Sequence, residues 1–402
     1  MALGGAWPYL PSGRVLVSDI EEGLFVLGPT YVRGARLEGT VTELGSGNPL
    51  NDVLVEISSA SLSENTNLFG DYATGTAVAG SYDVTFQKVG YITQTITGVI
   101  LVNGQTEILD VELVPDIAFV MSGFVTEEGT GNPIAGASVR IESELFNTEL
   151  ITNVDGRYLD STFYGGQYDV TVGAWGYVGE CASTVISPSG ASPDFDLAVG
   201  YSDDFALDLG WSVSGNASAG IWERGVPVAT DFNGTASNPG NDSGGSCGES
   251  AYVTGNGGGS AGSDDVDDGV TILETPLMDL SNYTDPSIHF NYWFFNAGGG
   301  SNPNDQFTVK VDNGTDVVTI ASLPLTGSEW LGYSFDVASV ISVTGTMQLI
   351  IEVDDSEPGH LVEGGLDNFL VTEGTGVEES EVNARVFIYP NPAIGFAYAK
   401  ID

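Results

Sequence analysis

The chain has 402 residues, with 55 Asp and Glu side chains, ten Lys and Arg side chains and a formal net charge of −45. A field of this sign repels phosphate backbones and anionic lipid headgroups, so binding to nucleic acid or to a membrane surface is not expected. Glycine contributes 55 residues and charged residues only 16% of the chain. This composition suits short strands joined by tight turns, and the length predicts two to four domains.

The cysteines and the N-terminus bear on the compartment. Cys181 and Cys247 are the two cysteines of the chain, and they fall in segments that we assign to different domains. We therefore expect no disulfide framework, with thiols that are free or singly paired. No apolar run approaches the roughly 20 residues of a membrane-spanning helix. Residues 1–13 lack the basic start and apolar stretch of a signal peptide, so an exported form would begin further upstream.

Residues 1–33 predict a strand, a turn at residues 19–23 and a second strand. The segment resembles the last blade hairpin of the bacterial β-propellers that precede a choice of cell-surface anchors. Because a lone hairpin is only marginally stable in water, this resemblance implies that the segment is the remnant of a larger propeller.

Two tandem repeats follow. GTVTELGSGNP at residues 39–49 matches GFVTEEGTGNP at residues 123–133, with eight of eleven positions identical. GSYDVTFQKVGY at residues 80–91 matches GQYDVTVGAWGY at residues 166–177, at seven of twelve positions. Apolar and polar residues alternate in short runs between Gly, Asn and Pro, which predicts an antiparallel sandwich of about seven strands in each repeat. We name residues 34–116 repeat 1 and residues 117–200 repeat 2.

The repeats resemble the carboxypeptidase regulatory-like family, a transthyretin-like or immunoglobulin-like sandwich found as a spacer in many secreted bacterial proteins. The resemblance rests on the opening GxVTExGxGNP, on TNxxGxY at residues 66–72 and 152–158, and on the late GxYDVT followed by GY. It covers residues 36–115 and 120–200 and implies a structural role for both repeats.

Residues 201–374, here the jelly-roll unit, have longer and more aromatic strands. Examples are IHFNYWFF at residues 288–295 and MQLIIEV at residues 347–353. About 170 residues of this kind suit a jelly-roll sandwich. The segments beginning DDFALDLGW, AYVTGNGGG and EGGLDNFLV resemble the MAM-like, lectin-type jelly rolls attached to secreted bacterial peptidases and adhesins. The predicted fold class is therefore all-β: two tandem sandwiches followed by a jelly roll.

The C-terminal residues suggest an export signal. Residues 375–384 are a polar, acidic linker without core-forming periodicity. Residues 385–402 begin RVFIYPNP and resemble the opening of the C-terminal sorting domain of the type IX secretion pathway, with only that opening present. The resemblance implies the type IX machinery as a partner. It places the sorting motif at Tyr389, Pro390, Asn391 and Pro392.

Two short motifs are weighed as catalytic and set aside. Residues 241–245 contain the DSGG string of a trypsin-type nucleophile at Ser243, but His289 and His360 both lie downstream without matching context. His360 and Glu363 have the HxxE spacing of a zinc carboxypeptidase, yet the chain has no third histidine beyond them. We therefore predict that the chain is not an enzyme.

The acidic segment at residues 263–269 is the leading metal candidate. Calcium takes six to eight oxygen ligands from clustered carboxylates and carbonyls, and the glycine allows a wrapping turn. The spacing is not that of an EF-hand, and a merely solvated acidic turn is the alternative. In related jelly rolls a structural calcium joins such a loop to acids near the two ends of the domain, here Asp203, Asp204 and Asp367. The predicted calcium ligands are Asp264, Asp265, Asp267, Asp268, Asp204 and Asp367.

The aromatic residues of the jelly-roll unit allow two interpretations, a carbohydrate-stacking platform or core. Alternating strand positions favour core. The residues concerned are Trp211, Trp222, Tyr292, Trp293 and Trp330. The repeat tyrosines are predicted to be core as well: Tyr82, Tyr91, Tyr168 and Tyr177.

These features predict a non-catalytic, secreted or outer-surface modular protein. The two sandwiches would act as spacers for a jelly-roll module that binds an extracellular glycan or protein, and the C-terminal signal would direct export and anchoring. The alternative is the C-terminal accessory region of a secreted peptidase or other hydrolase whose catalytic domain lies upstream.

Overall fold

The computed structural model describes residues 3–7, 14–19, 23–28, 33–189, 193–245, 247–299, 302–373, 386–389 and 398–401. Regular structure in these residues is almost entirely strand, apart from the 3-10 turns Ser58–Ala60 and Ala261–Ser263, so the all-β prediction is confirmed. None of the described helices is long and apolar enough to cross a membrane.

The N-terminal segment forms one three-stranded antiparallel sheet. Its strands are β1 (Leu3–Trp7), β2 (Val15–Asp19) and β3 (Gly23–Leu27). β2 pairs with both neighbours, so the structure adds a third strand to the predicted hairpin. Residues 20–22 of the predicted turn lie outside the described residues.

Repeat 1 is a sandwich of two four-stranded sheets. Its strands are β4 (Ala35–Glu43), β5 (Leu54–Ile57), β6 (Leu62–Asn65), β7 (Asp71–Thr76), β8 (Gly80–Gln87), β9 (Gln94–Leu101), β10 (Thr106–Ile108) and β11 (Val111–Leu113). One sheet has the order β6-β5-β8-β9, and in the other β4 pairs with β7, β10 and β11.

Repeat 2 has the same plan with seven strands. They are β12 (Phe119–Glu127), β13 (Ser138–Ser143), β14 (Phe146–Ile151), β15 (Arg157–Phe163), β16 (Gly166–Gly173), β17 (Glu180–Ile186) and β18 (Phe195–Leu197). The sheets are β14-β13-β16-β17 and β15-β12-β18.

The repeats are not purely antiparallel. β10 and β11 pair with β4 in parallel, and β18 pairs with β12 in parallel. The predicted antiparallel arrangement is therefore wrong for the last two strands of repeat 1 and for the last strand of repeat 2. The period of two reports which face a side chain occupies, and it carries no information about the direction of the neighbouring strand.

The TNxxGxY motif closes each repeat through four different contacts. The Thr66 hydroxyl donates to the Leu50 carbonyl at 2.6 Å, and Asn67 Oδ1 accepts two N–H groups of the turn that follows. Gly70 has a φ of 79°, and a Cβ there would lie 2.5 Å from a backbone oxygen. The Tyr72 hydroxyl donates to a carbonyl 37 residues away. Repeat 2 has the same contacts at Thr152, Asn153, Gly156 and Tyr158.

The jelly-roll unit packs a six-stranded sheet on a five-stranded sheet. The six-stranded sheet contains β19 (Tyr201–Asp203), β21 (Trp222–Gly225), β24 (Ala251–Thr254), β27 (Pro286–Ala297), β30 (Leu331–Asp336) and β32 (Leu361–Glu373). The five-stranded sheet contains β20 (Ser212–Gly215), β26 (Gly269–Glu274), β28 (Phe307–Asp312), β29 (Val317–Leu323) and β31 (Gln348–Asp355).

A small third sheet covers part of the six-stranded sheet. It consists of β22 (Thr230–Phe232), β23 (Thr235–Asn238) and β25 (Gly259–Ser260). Beneath it, Trp293 and Phe295 point away from the main core and pack with Phe232 and Trp330 in a second apolar cluster. The aromatic run of β27 is thus buried on both faces.

Two further strands follow, β33 (Val386–Tyr389) and β34 (Tyr398–Ile401), paired antiparallel with Tyr389 opposite Tyr398. The predicted linker at residues 375–384 and the sorting-motif residues Pro390, Asn391 and Pro392 lie outside the described residues.

Candidate functional site

Repeat 2 and the jelly-roll unit are joined covalently. Cys181 on β17 and Cys247, shortly before β24, form a disulfide with Cα atoms 5.6 Å apart. Neither cysteine is free. The prediction was no disulfide framework, with thiols free or singly paired, and the structure corrects it: the two cysteines pair with each other across the predicted domain boundary. They are 66 residues apart in sequence and meet only when the two units dock.

Trp175 extends this junction. It lies in the turn between β16 and β17 of repeat 2, yet its ring packs against the core of the jelly-roll unit. The ring stacks on Phe369 with centroids 5.9 Å apart and planes 18° apart, and it meets Trp211 edge to face with centroids 6.2 Å apart. The indole N–H donates to the Leu277 carbonyl at 2.8 Å. The two units therefore share packing across the predicted boundary at residues 200 and 201.

Two arginines meet at the same place, one from each unit. Arg140 on β13 donates to the Ala206 carbonyl at 2.6 Å, and Arg224 on β21 donates to the Phe205 carbonyl at 2.9 Å. Phe205 has a φ of 59°, a left-handed conformation that non-glycine residues rarely adopt. Charged hydrogen bonds from both sides thus hold a strained turn at the junction.

Ser243 is a loop anchor in this structure. Its hydroxyl oxygen accepts hydrogen bonds from the side-chain amides of Asn291 at 2.9 Å and Asn368 at 2.7 Å. Its backbone N–H donates to the Asp367 carboxylate at 2.8 Å. His289 forms a hydrogen bond with the Thr372 hydroxyl. His360 contacts Asp305, whereas the carboxylate at Ser243 is that of Asp367. In the described part of the chain, the hydrogen bonds that the Ser243 hydroxyl accepts come from the two asparagines and not from a histidine.

The aromatic residues considered as a sugar platform are mostly core. Four of them are at most 7% exposed: Trp211, Trp222, Tyr292 and Trp293. The fifth, Trp330, is half-buried, meets Trp293 edge to face at 6.3 Å and donates its indole N–H to a backbone carbonyl. Of the repeat tyrosines, Tyr168 is buried, and Tyr82, Tyr91 and Tyr177 are half-buried against their cores.

The acidic loop spreads its carboxylates over different neighbours. Asp264 accepts backbone N–H groups of a glycine turn, Asp265 is only 3% exposed, and the N–H of Asp268 donates to Asp355 at 3.3 Å. Burial, followed by the charge of Asp355, raises the pKa of Asp267. Among the described residues these four carboxylates do not converge on one point. Calcium binding by this set stays a prediction.

Asp204 and Asp367 lie away from the acidic loop. Asp204 accepts the N–H of Cys247 at 2.6 Å beside the disulfide, and Asp367 accepts two backbone N–H groups. The loop meets the last strand where Val266 donates to the Val362 carbonyl. Asp367 is five residues further along that extended strand, a span of roughly 16 Å. The structure therefore divides the predicted calcium ligands into two separate groups.

A different set of polar side chains converges at one end of the jelly-roll sandwich. Phe307 pairs with Val353 inside the core, and two residues beyond this pair the same inner face carries Asp305 and Asp355. His360 Nδ1 lies 2.9 Å from Asp305 Oδ2, and the His360 N–H donates to Asp355 Oδ1 at 2.9 Å. One ligand atom from each of the three lies within 4.8 Å of the others, and all three residues are at most 8% exposed.

Asn296 adjoins this cluster from the opposing sheet. It lies on the inner face of β27, is 8% exposed, and donates through Nδ2 to the Asp305 carbonyl at 3.3 Å. Its Oδ1 is buried and has no hydrogen-bond partner among the described residues. A buried acceptor without a partner is costly.

The two residues of the HxxE pair, His360 and Glu363, do not lie in one site. His360 faces Asp305, whereas Glu363 is 1% exposed and accepts the Thr230 hydroxyl at 2.6 Å. Residues three apart in an extended strand point to opposite faces. Burial raises the pKa of Glu363 to about 7, and the negative charge of Asp265 adds to that shift.

Sequence reasoning missed both the junction and the inter-sheet cluster. A comparison of the repeats carries a signal for the junction, because repeat 1 has Val89 where repeat 2 has Trp175, and Thr95 where repeat 2 has Cys181. The register agrees, since Thr95 pairs with Thr85 and Cys181 pairs with the corresponding Thr171. For the cluster, the signal is an aspartate that ends the apolar inner row of β31.

Three solved structures align with parts of this chain at low similarity. A streptococcal ancillary pilin aligns over 47% of this chain and 76% of its own, with 14% identity and a TM-score of 0.27. TmCBM61, solved in complex with beta-1,4-galactotriose, aligns over 42% of this chain and 91% of its own, with 16% identity and a TM-score of 0.27. A minor pilin of Streptococcus agalactiae aligns over 41% and 96%, with 10% identity and a TM-score of 0.27.

Sequence comparison gives a narrower result. No curated protein matches the chain. The family model that matches is that of the carboxypeptidase regulatory-like domain, over residues 36–114, which is the segment of repeat 1 with the quoted motifs.

Proposed function

We propose that the chain is a non-catalytic part of an extracellular or cell-surface protein, in which the two repeats carry the jelly-roll unit as a ligand-binding or adhesion module. The observation that carries this proposal is the Cys181–Cys247 disulfide between repeat 2 and the jelly-roll unit. Disulfides form and persist in oxidising compartments and are rare in the reducing cytosol. A covalent link between two packed units is therefore an argument for export.

The junction also supports the display role. Because Trp175 and Cys181 fix repeat 2 against the jelly-roll unit, the orientation of that unit does not depend on a flexible linker. A spacer that is rigid at its point of attachment holds the attached unit in one orientation. The match of repeat 1 to a regulatory-like domain family agrees with a spacer role.

The absence of catalysis is part of the proposal. Ser243 accepts hydrogen bonds from two asparagines and donates its backbone N–H to Asp367, an arrangement that anchors a loop. A nucleophile needs a base within hydrogen-bond reach. The proposal predicts that the purified chain hydrolyses neither peptides nor glycans, and turnover that Ser243→Ala abolishes would overturn it.

The finer assignments belong to the same proposal. The propeller remnant at residues 1–33, the MAM-like character of the jelly-roll unit and the type IX sorting motif at residues 389–392 rest on sequence resemblance. A structural calcium at the acidic loop rests on the density of carboxylates there. The ligand would be an extracellular glycan or protein.

Surface detection tests the proposal. Cells that produce the protein carrying this chain are stained with an antibody against the jelly-roll unit, before and after permeabilisation. We expect most of the signal on intact cells or in the medium, and we expect removal of residues 375–402 to abolish it. Signal that is found only after permeabilisation would contradict export.

The second candidate is the accessory region of a secreted hydrolase, and the regulatory-like domain match favours it to the same extent as the first. The two differ in what lies upstream. A catalytic domain before residue 1, held by repeat 1, would favour the accessory role.

A further inference from the structure

At one end of the jelly-roll sandwich, the inner face carries acidic residues in place of apolar ones. The inner face of β31 is apolar at Leu349, Ile351 and Val353, and Asp355 occupies the next inner position. Asp305 lies across from it, ahead of β28. Two buried carboxylates are therefore side by side between the sheets, where charges without compensation are strongly unfavourable.

Compensation by basic side chains is incomplete. In the described part of the chain no Lys or Arg forms an ion pair with Asp305 or Asp355, and the ionisable side chain that contacts Asp305 is the His360 ring. A single imidazole can carry at most one positive charge against two negative ones. The charges of Asp267 and Asp268 on the adjoining loop add to the negative potential, since the Asp268 N–H contacts Asp355 directly.

Asn296 supplies an independent observation. Its amide is oriented by the bond from Nδ2 to the Asp305 carbonyl, and this leaves Oδ1 buried without a donor. A carboxamide oxygen in this position would be stabilised by a hydrogen-bond donor or by a cation. The residue is more than nine-tenths buried, so bulk water does not provide the donor.

We propose that Asp305, Asp355 and His360 bind one divalent transition-metal ion of the zinc class, with Asn296 Oδ1 as the candidate for the fourth position. Imidazole and carboxylate together suit zinc, whereas calcium takes oxygen ligands and has no use for the imidazole. Two carboxylates neutralise a divalent ion. This site is separate from the calcium ligands predicted on the acidic loop.

The spacing allows the ion without rebuilding the fold. Ligand atoms about 2.0–2.1 Å from a tetrahedral zinc lie about 3.3 Å apart. The three ligand atoms here already lie within 4.8 Å of one another, and Nδ1 and the Asp305 oxygen are 2.9 Å apart. On binding, Nδ1 exchanges the proton that it shares with Asp305 for the metal, and that proton is released to solvent.

The consequence is structural. Asp355 ends β31 and Asp305 lies two residues ahead of β28, both strands of the five-stranded sheet, whereas His360 immediately precedes β32 of the six-stranded sheet. An ion bound by all three would link the two sheets at the end of the sandwich, beyond the last apolar residues of the core. Binding to the folded form alone would stabilise the fold.

Zinc binding by the full 402-residue chain tests the proposal. The protein is stripped with a chelator and dialysed against zinc, and bound metal is measured by mass spectrometry together with competition against a chromophoric chelator. We expect one tightly held zinc per chain, and at least tenfold weaker binding in Asp355→Asn and in His360→Gln. The matched control is Asp316→Asn, an exposed carboxylate in the turn between β28 and β29 and outside both metal sets, which should bind as the parent does.

Cobalt(II) absorption of the unmodified protein provides a readout that does not depend on variant folding. A four-coordinate site gives strong visible bands that stoichiometric zinc removes and excess calcium leaves in place. Weak bands of octahedral type, or zinc retention that is equal in all three variants, would mean adventitious binding to an acidic surface and would overturn the proposal. Displacement of the metal by millimolar calcium would overturn it as well.

Discussion

Cys181 on β17 and Cys247 ahead of β24 are bonded across the junction of repeat 2 and the jelly-roll unit, at a sequence separation of 66. Closing a loop of this length removes conformational entropy from the unfolded chain. The bond therefore stabilises the docked pair of units as well as their relative orientation.

The paired change Cys181→Ser and Cys247→Ser should lower the free energy of unfolding of the docked units by about 2–4 kcal/mol. Denaturant unfolding followed by tryptophan fluorescence is the measurement, because five tryptophans lie in or against the jelly-roll unit: Trp175, Trp211, Trp222, Trp293 and Trp330. The parent protein in reductant should match the variant. An unchanged midpoint would mean that the units are linked without mutual stabilisation.

Trp175→Ala should loosen the junction without harming the sandwich of repeat 2. The ring is stacked on Phe369 and bonded to the Leu277 carbonyl, so its removal should cost roughly 2–4 kcal/mol, somewhat below a fully buried tryptophan. Val89→Ala is the matched control, because Val89 is the corresponding residue of repeat 1 and is 42% exposed. Equal effects of the two changes would refute the docking role of Trp175.

The stability of the jelly-roll unit should fall as the pH rises from about 4 to about 7 in the presence of a chelator. Burial raises the pKa of Asp203 from 3.8 to about 7, against hydrogen bonds from Phe205 and Trp211 that lower it. The folded state therefore binds the proton more tightly than the unfolded state, and deprotonation within this window costs stability. Burial also raises the pKa of Asp367, to about 6.

Thermal melting at a series of pH values checks this sign. Asp203→Asn should reduce the fall in melting temperature between pH 4 and pH 7. At pH 4 the variant should already melt at a lower temperature than the parent, because one of the two N–H donors loses its acceptor. Asp316→Asn, at an exposed turn, controls for the overall charge of the chain. A melting temperature that rises through this window would contradict the burial of a protonated Asp203.

Gly156→Ala should destabilise repeat 2 more than Gly129→Ala. Both glycines have positive φ, 71° and 79°, so both substitutions strain the backbone. At Gly156 the added Cβ would also lie 2.5 Å from the Val125 oxygen, whereas nothing lies within 4 Å at Gly129. We expect a difference of about 1 kcal/mol or more in the free energy of unfolding. Equal costs would show that the close approach is relieved without penalty.

Much of the fold followed from local pattern. The repeated motifs predicted two similar sandwiches because each motif residue makes a contact within its own repeat, such as the bond from Tyr72 to the Leu109 carbonyl. The parallel pairing of β10, β11 and β18 did not follow, because alternation is the same for either strand direction.

The sites were harder to predict than the fold. Four aspartates within five residues suggest a metal loop, yet the set that converges comes from two other segments, one with Asp305 and one with Asp355 and His360. The sequence contains each residue, but their proximity depends on the pairing of β28 with β31 and on the turn between β31 and β32. The disulfide was missed for the same reason, since its cysteines belong to units with separate cores.

The thiol state of the protein recovered from its own cells tests the central claim most directly. Cells are fractionated under a thiol-blocking reagent, and tryptic peptides are analysed by mass spectrometry without reduction. The account predicts protein outside the cytoplasm with the Cys181 and Cys247 peptides linked to each other. Protein that stays in the cytoplasm with both cysteines carrying the blocking group would contradict it.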